Sequence, residues 1–191
     1  MSDAPRLPLR LIVASTVLAL LAAVATYVVL DGGGDDGPSA ADGTIQLTPQ
    51  EDVAVDPDAA VFTTFDDEAV PLTSLRGTPV LVNFFASTCT PCIKEMPALE
   101  AVHQDLGDQV TFLGLATQDR PEEALALVER TGVTYRTAQD PDGSVITALG
   151  GLALPTTVLL DASGEIVATH TGELSEGELR SLIAGSFGIE S

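Results

Sequence analysis

Cysteine occurs twice in this chain, as Cys89-Thr90-Pro91-Cys92, directly after the apolar run Pro79-Val80-Leu81-Val82-Asn83-Phe84-Phe85. A buried strand leading into C-x-x-C and then a helix makes a reactive thiol. The free N–H groups of the helix start and the positive end of its dipole face the first sulfur. That stabilises a thiolate and can lower a cysteine pKa from about 8.5 to between about 3.5 and 7.5. The second cysteine, one turn on, is near enough to close a disulfide. The pair predicts dithiol–disulfide exchange, with Cys89 as the exposed nucleophile and Cys92 facing inward.

Two other chemistries compete for the same residues. Zinc normally takes four ligands, and the chain has no second cysteine pair; His103 and His170 stand far off in sequence. No metal site is expected. A purely structural disulfide closing so short a loop adds little stability, because the gain grows with loop size. Glu95, three residues after Cys92, is the nearest candidate base for the inner thiol if burial raises its pKa. The alternative is an ordinary exposed glutamate favoured by the helix dipole. Lys94 reads as a solvated surface lysine, and neither histidine carries a role: His103 is placed on the outer helix face and His170 on an edge strand.

The elements around the dithiol follow from pattern and punctuation. Val61 to Phe65 and Val70 to Leu72 read as a hairpin, with one helical turn over Leu72 to Leu75. Val80 to Phe85, nearly all apolar, is a strand covered on both faces. Ile93, Met96, Leu99, Val102 and Leu106 give a helix from Pro91 to Leu106, with a kink expected at Pro97. Val110 to Ala116 is the next strand. Asp119 as N-cap and Pro121 in the first turn open a helix ending near Gly132. A short strand is expected over Val133 to Thr137, a turn over Asp140 to Gly143 and a short helix over Ser144 to Leu149. Thr156 to Leu160 and Ile166 to Thr171 flank a hairpin turn. Ser175 and Glu178 form a capping box for a helix from Glu176 to Phe187. A parallel βαβ unit followed by an antiparallel hairpin and a helix is a single-domain α/β sandwich.

The 191 residues divide by composition. Residues 1–10 carry Arg6 and Arg10 and read as a cytoplasmic N-terminus. Residues 11–30 lack charge; as a helix they rise about 30 Å, the thickness of a hydrocarbon core. The arginines before them and Asp31, Asp35 and Asp36 after them orient the remainder outside the cytoplasm. A cleaved signal with a site near Ala23-Val24-Ala25 is the alternative, but the apolar run continues to Leu30 and favours an anchor. Residues 31–58, rich in Asp, Gly, Pro, Ser and Ala, read as a disordered linker, leaving 59–191 as the folded domain. The net charge of −20, from 28 acidic and 8 basic residues, repels nucleic acid and anionic headgroups. Nucleic acid is excluded as a partner, and the membrane is expected only through the N-terminal helix.

The stretch Val82-Asn83-Phe84-Phe85-Ala86-Ser87-Thr88-Cys89-Thr90-Pro91-Cys92-Ile93-Lys94-Glu95-Met96-Pro97 resembles the active-site segment of membrane-anchored thioredoxin-like proteins of the TlpA/ResA/DsbE type. Leu154-Pro155-Thr156-Thr157-Val158-Leu159-Leu160-Asp161 resembles their second signature. The resemblance covers Val61 to Phe187 and implies a thioredoxin-like domain: a central mixed sheet flanked by helices. It implies a cis peptide at Pro155 facing the dithiol, with Leu154 and Thr88 beside it to receive an extended partner peptide. It matches Glu95 to the acidic residue such proteins hold near the dithiol, and Asn83 to a position where cytosolic thioredoxins place an aspartate. It departs in lacking tryptophan, with Phe85 and Thr88 at the flanking positions.

The expected function is an extracytoplasmic thiol–disulfide oxidoreductase whose redox centre is the Cys89–Cys92 disulfide itself, with no other cofactor. The reductive direction, acting on exported proteins and including apocytochrome c cysteines, comes first; a DsbE-like disulfide-forming oxidase is the alternative. A membrane electron donor or acceptor is the implied partner. A copper chaperone of the Sco type needs one more residue between its cysteines and a distal histidine. A peroxidase on this fold expects a threonine three residues before its reactive cysteine, where Ala86 stands before Cys89.

Overall fold

The computed structural model describes residues 55–189. Seven strands form one sheet: β1 (Val61–Thr63), β2 (Ala69–Pro71), β3 (Val80–Phe85), β4 (Thr111–Thr117), β5 (Arg136–Asp140), β6 (Thr156–Leu160) and β7 (Ile166–Thr171). The helices are α1 (Thr90–Leu106), α2 (Pro121–Thr131), α3 (Ser144–Ala148) and α4 (Glu176–Phe187), with single 3₁₀ turns at Pro57–Ala59 and Leu72–Leu75. The strand order is β2-β1-β5-β4-β3-β6-β7. β3, β4 and β5 run parallel, and β6, β7, β1 and β2 add antiparallel on the two sides. This is the expected mixed sheet flanked by helices.

β3 lies at its centre with all of its residues buried, which is why it reads as an unbroken apolar run. Alternate residues feed two cores. Leu81 and Phe85 join Met96, Leu99 and Val102 of α1, Leu127 of α2 and Ile183 of α4 on one face. Val82 and Phe84 join Leu113, Leu115, Val158 and the α3 residues Val145 and Ile146 on the other. β7, on the edge, alternates between half-buried and exposed residues and carries His170, as expected. The capping box on α4 is complete: Ser175 accepts from the Glu178 N–H, and the Glu178 carboxylate accepts from the Ser175 N–H. Gly132, at φ 71°, ends α2 in the left-handed conformation that a Cβ disfavours.

Four local expectations change. The strand expected over Val133 to Thr137 is instead Arg136–Asp140, paired with β4 from Leu113↔Arg136 to Thr117↔Asp140. Thr134 is held by α1, donating its N–H and hydroxyl to Glu100, both at 2.7 Å. Asp140, expected to open a turn, is instead the last residue of this strand, and it and Gln139 are both buried with polar partners. Gln139 donates to the Thr64 carbonyl at 2.9 Å, and Asp140 accepts from the N–H groups of Val145 and Ile146 at 3.0 and 3.1 Å. Asp119 is not the N-cap of α2; Arg120 is. His103 is half-buried rather than outward, its ring 5.2 Å from Phe112 and 5.8 Å from Tyr135. α1 is assigned as one helix through Pro97.

The N-terminal expectations, residues 1–10, the anchor at 11–30 and nearly all of the linker at 31–58, lie outside the described residues. Among the described residues, no helix is long and apolar enough to cross a membrane. The chain is tied to the domain by Asp56, whose N–H donates to the Ala148 carbonyl at 2.9 Å.

Candidate active site

The dithiol stands at the C-terminal end of the parallel strands, the end of an α/β sheet where ligands usually bind. β3 delivers the chain to Ala86, and a turn closed by the Cys89 N–H on the Ala86 carbonyl at 3.0 Å starts α1. Cys89 is the N-cap, and its sulfur accepts the Cys92 N–H at 3.3 Å. One of the free donors of the helix start is thus aimed at this sulfur. Cys89 and Cys92 form a disulfide. Cys89 is half-buried and Cys92 is 0 % exposed, within the core between the sheet and α1. Thr88 and Lys94 are exposed.

Glu95 lies one turn beyond Cys92 on the same helix, where side chains three apart are neighbours. It is 1 % exposed. Its Oε1 accepts the Asn83 amide at 2.7 Å, and its Oε2 accepts the Leu174 N–H at 3.2 Å. Asn83 also donates to Thr157 Oγ1 of β6 at 3.1 Å. β3, β6 and the connection between β7 and α4 therefore converge on one buried carboxyl. Burial pushes its pKa from 4.5 to about 7; the two hydrogen bonds pull down against this, and the Glu173 carboxylate adds a smaller upward push. A buried acid poised near neutrality can take up and return a proton beside a thiol.

The Leu154–Pro155 peptide is cis. Thr156 pairs with Phe84 across the β6–β3 ladder, which sets Pro155 at the end of β3 from which the dithiol loop departs. Pro155 is buried and Leu154 half-buried, packed against both cores. Beside this loop is a cleft of about 250 Å³, lined by Thr117, Gln118, Ile146, Leu152 and Leu154 among others. Leu152, on its rim, is 84 % exposed. The structure thus brings Cys89, Cys92, Thr88, Leu154 and Pro155 to one end of the sheet, with Glu95 beneath. Among the described residues, no three His, Cys, Asp or Glu side chains group as metal ligands.

Several groups at the site had no signal in the sequence. Thr157 meets Asn83, and the Leu174 N–H meets Glu95, only through pairings 74 and 79 residues apart. Asp119, read as a cap, instead accepts the N–H and, at 2.8 Å, the hydroxyl of Ser87.

Similar proteins agree with this geometry. The chain is 33% identical over 117 residues to the thiol-disulfide oxidoreductase ResA of Halalkalibacterium halodurans, a match covering 61% of this chain and 66%, just under two thirds, of that protein. It is 28% identical to ResA of Geobacillus thermodenitrificans over 176 residues, 90% of this chain and 92% of the relative. A DsbF homologue from Corynebacterium diphtheriae superposes with a TM-score of 0.60 at 28% identity, covering 66% of this chain and 83% of that one. The fold is thioredoxin-like and related to ResA- and DsbE-type oxidoreductases. Residues 49–183 match the Redoxin family, and with the Cys89–Cys92 disulfide at the end of its parallel strands this chain belongs to that family.

Proposed function

We propose that this protein is an extracytoplasmic, membrane-tethered thiol–disulfide oxidoreductase that reduces disulfides in exported proteins, apocytochrome c cysteines among them. One observation carries the reading: Cys89 is half-buried with its sulfur accepting the Cys92 N–H of the helix start, while Cys92 and Glu95 are sealed behind it. The likeness to ResA proteins supports the same class, and the apolar run at 11–30 supports the tether.

In the reductive direction the Cys89 thiolate attacks one sulfur of a partner disulfide. The partner S–S bond breaks, its second sulfur leaves as a thiolate that takes a proton from water, and a mixed disulfide with Cys89 remains. Cys92 then gives its proton to Glu95 and attacks the Cys89 sulfur; the mixed disulfide breaks, and the second partner sulfur leaves as a thiolate that takes up a proton. Two electrons have passed to the partner, and the Cys89–Cys92 disulfide awaits a membrane electron donor. Cys89 serves as nucleophile, Cys92 as resolving thiol and Glu95 as its base. Leu154, Pro155 and Thr88 form the surface along which an extended peptide lies: proline offers no N–H of its own, and the cleft beside it accepts apolar side chains.

Equilibrating the full chain with glutathione buffers, then alkylating, measures the potential. A value nearer about −270 mV than −120 mV supports the reductase; one above about −150 mV makes the protein an oxidase.

A further inference from the structure

We propose that Asp119 is a positioning residue of the dithiol: its carboxylate latches the turn that carries Cys89 and sets an unpaired negative charge beside it. The inference rests on the thiol–disulfide reading of the site but not on its direction. Ser87 stands two residues before Cys89. Asp119 Oδ2 accepts its N–H, and Oδ1 accepts its hydroxyl at 2.8 Å. Oδ1 also accepts the Arg120 N–H at 2.9 Å. One carboxylate therefore ties the β4–α2 loop to the β3–α1 turn, 32 residues apart in sequence.

The loop is bent to bring it there. Gln118, immediately before Asp119, has φ 51°, a left-handed conformation that its Cβ disfavours, and its N–H donates to the Asp140 carbonyl at 3.0 Å. Such conformations persist where surrounding structure imposes them, and they gather at functional sites. The carboxylate does not cap α2, although it precedes that helix.

The charge is left without a partner. Arg120, the adjacent cation, pairs with Glu123 at 2.7 Å. Among the described residues the remaining ion pairs join Arg76 to Asp58 and Arg180 to Asp105 and Glu176. Two residues of chain span at most about 7 Å, so the carboxylate lies within roughly 10 Å of Cys89, about one Debye length at ordinary salt. A negative charge there opposes the Cys89 thiolate that the helix start favours. It weakens the dithiol form and moves the couple toward reducing power. The latch also holds the Ala86–Cys89 turn still while the sulfur beyond it exchanges partners.

The test uses the full chain in detergent. Cys89 alkylation is followed against pH, the dithiol is equilibrated with glutathione, and amide exchange over residues 86–89 is read by mass spectrometry. Asp119→Asn removes the charge and keeps the size. It should lower the alkylation midpoint by about half a pH unit and shift the glutathione equilibrium about threefold toward the dithiol, about 14 mV more oxidising. Ser87→Ala keeps the charge and loses one hydrogen bond. Its midpoint should stay at the wild-type value, while exchange over residues 86–89 rises about fivefold. An unmoved midpoint in a folded Asp119→Asn, or an equal shift in both variants, overturns the electrostatic role. Unchanged exchange in Ser87→Ala overturns the latch, even should the Asp119 variant not fold. Exchange of the wild-type disulfide with glutathione tests the underlying chemistry separately, so either failure is recognisable for what it is.

Discussion

The Asn83 amide of β3 donates to the Glu95 carboxylate of α1 at 2.7 Å, with both residues 1 % exposed. The bond places a neutral donor, rather than a second acid, against a buried carboxyl one turn from Cys92. A neutral donor favours the ionised carboxylate, whereas burial favours the protonated acid. Burial dominates, and the pKa stands at about 7.

The pH dependence of stability follows from that balance. Glu95 has a folded pKa of about 7 against 4.5 for the exposed group. The protonated form is the one the fold prefers, so its contribution is complete below pH 4.5 and is lost as pH rises through 7. The shift corresponds to about 3 kcal/mol. Glu95→Gln in the oxidised protein should flatten this part of the stability–pH curve. Urea titrations from pH 4 to 8 check it; a slope in this window equal to wild type would assign the effect to other groups. In the reduced protein the same variant should slow resolution of a mixed disulfide near neutral pH.

Asn83→Ala removes the donor and leaves Glu95 with the Leu174 N–H alone. The ionised form loses about 1.5–3 kcal/mol of a charge-assisted hydrogen bond. The Glu95 pKa should therefore rise further, by at least one unit, as read by the pH dependence of the carboxyl infrared band.

Cys89 and Cys92 should separate by reactivity. In the reduced chain, iodoacetamide at pH 7 should label Cys89 at least tenfold faster, because Cys92 is fully buried and Cys89 faces the helix start. Cys92→Ser should accumulate mixed disulfides with a model disulfide substrate, and Cys89→Ser should not. Faster labelling of Cys92 would reverse the roles.

Asp140→Ala should cost about 1–3 kcal/mol, because it leaves the N–H groups of Val145 and Ile146 without their acceptor inside the protein. Asp140→Asn, which keeps an acceptor oxygen, should recover part of this. Denaturant unfolding at pH 7 measures both. Burial raises the Asp140 pKa above the usual aspartate value, so the wild type loses stability as pH climbs past that value, and both variants should fall furthest below it in acid.

Much of this protein was legible from local chemistry. Strand β3 announced itself by an unbroken apolar run, α4 by its capping box, the β6–β7 hairpin by Asp161 to Gly164, and the dithiol by two cysteines at the turn from strand to helix. Each of these signals lies within a few residues of the element it specifies, where backbone geometry and side-chain period act directly. The polar residues were where local reading failed. Asp119 had the spacing of a helix cap, but a serine from another loop offered its carboxylate two donors. Asp140 had the character of a turn, yet pairing with Thr117 of β4 made it the last residue of a strand. Glu95 could be base or ornament on spacing alone. Only the meeting of β3, β6, α1 and the segment at Leu174 decided that it is buried, because desolvation depends on what the rest of the chain packs around a group and not on its neighbours in sequence.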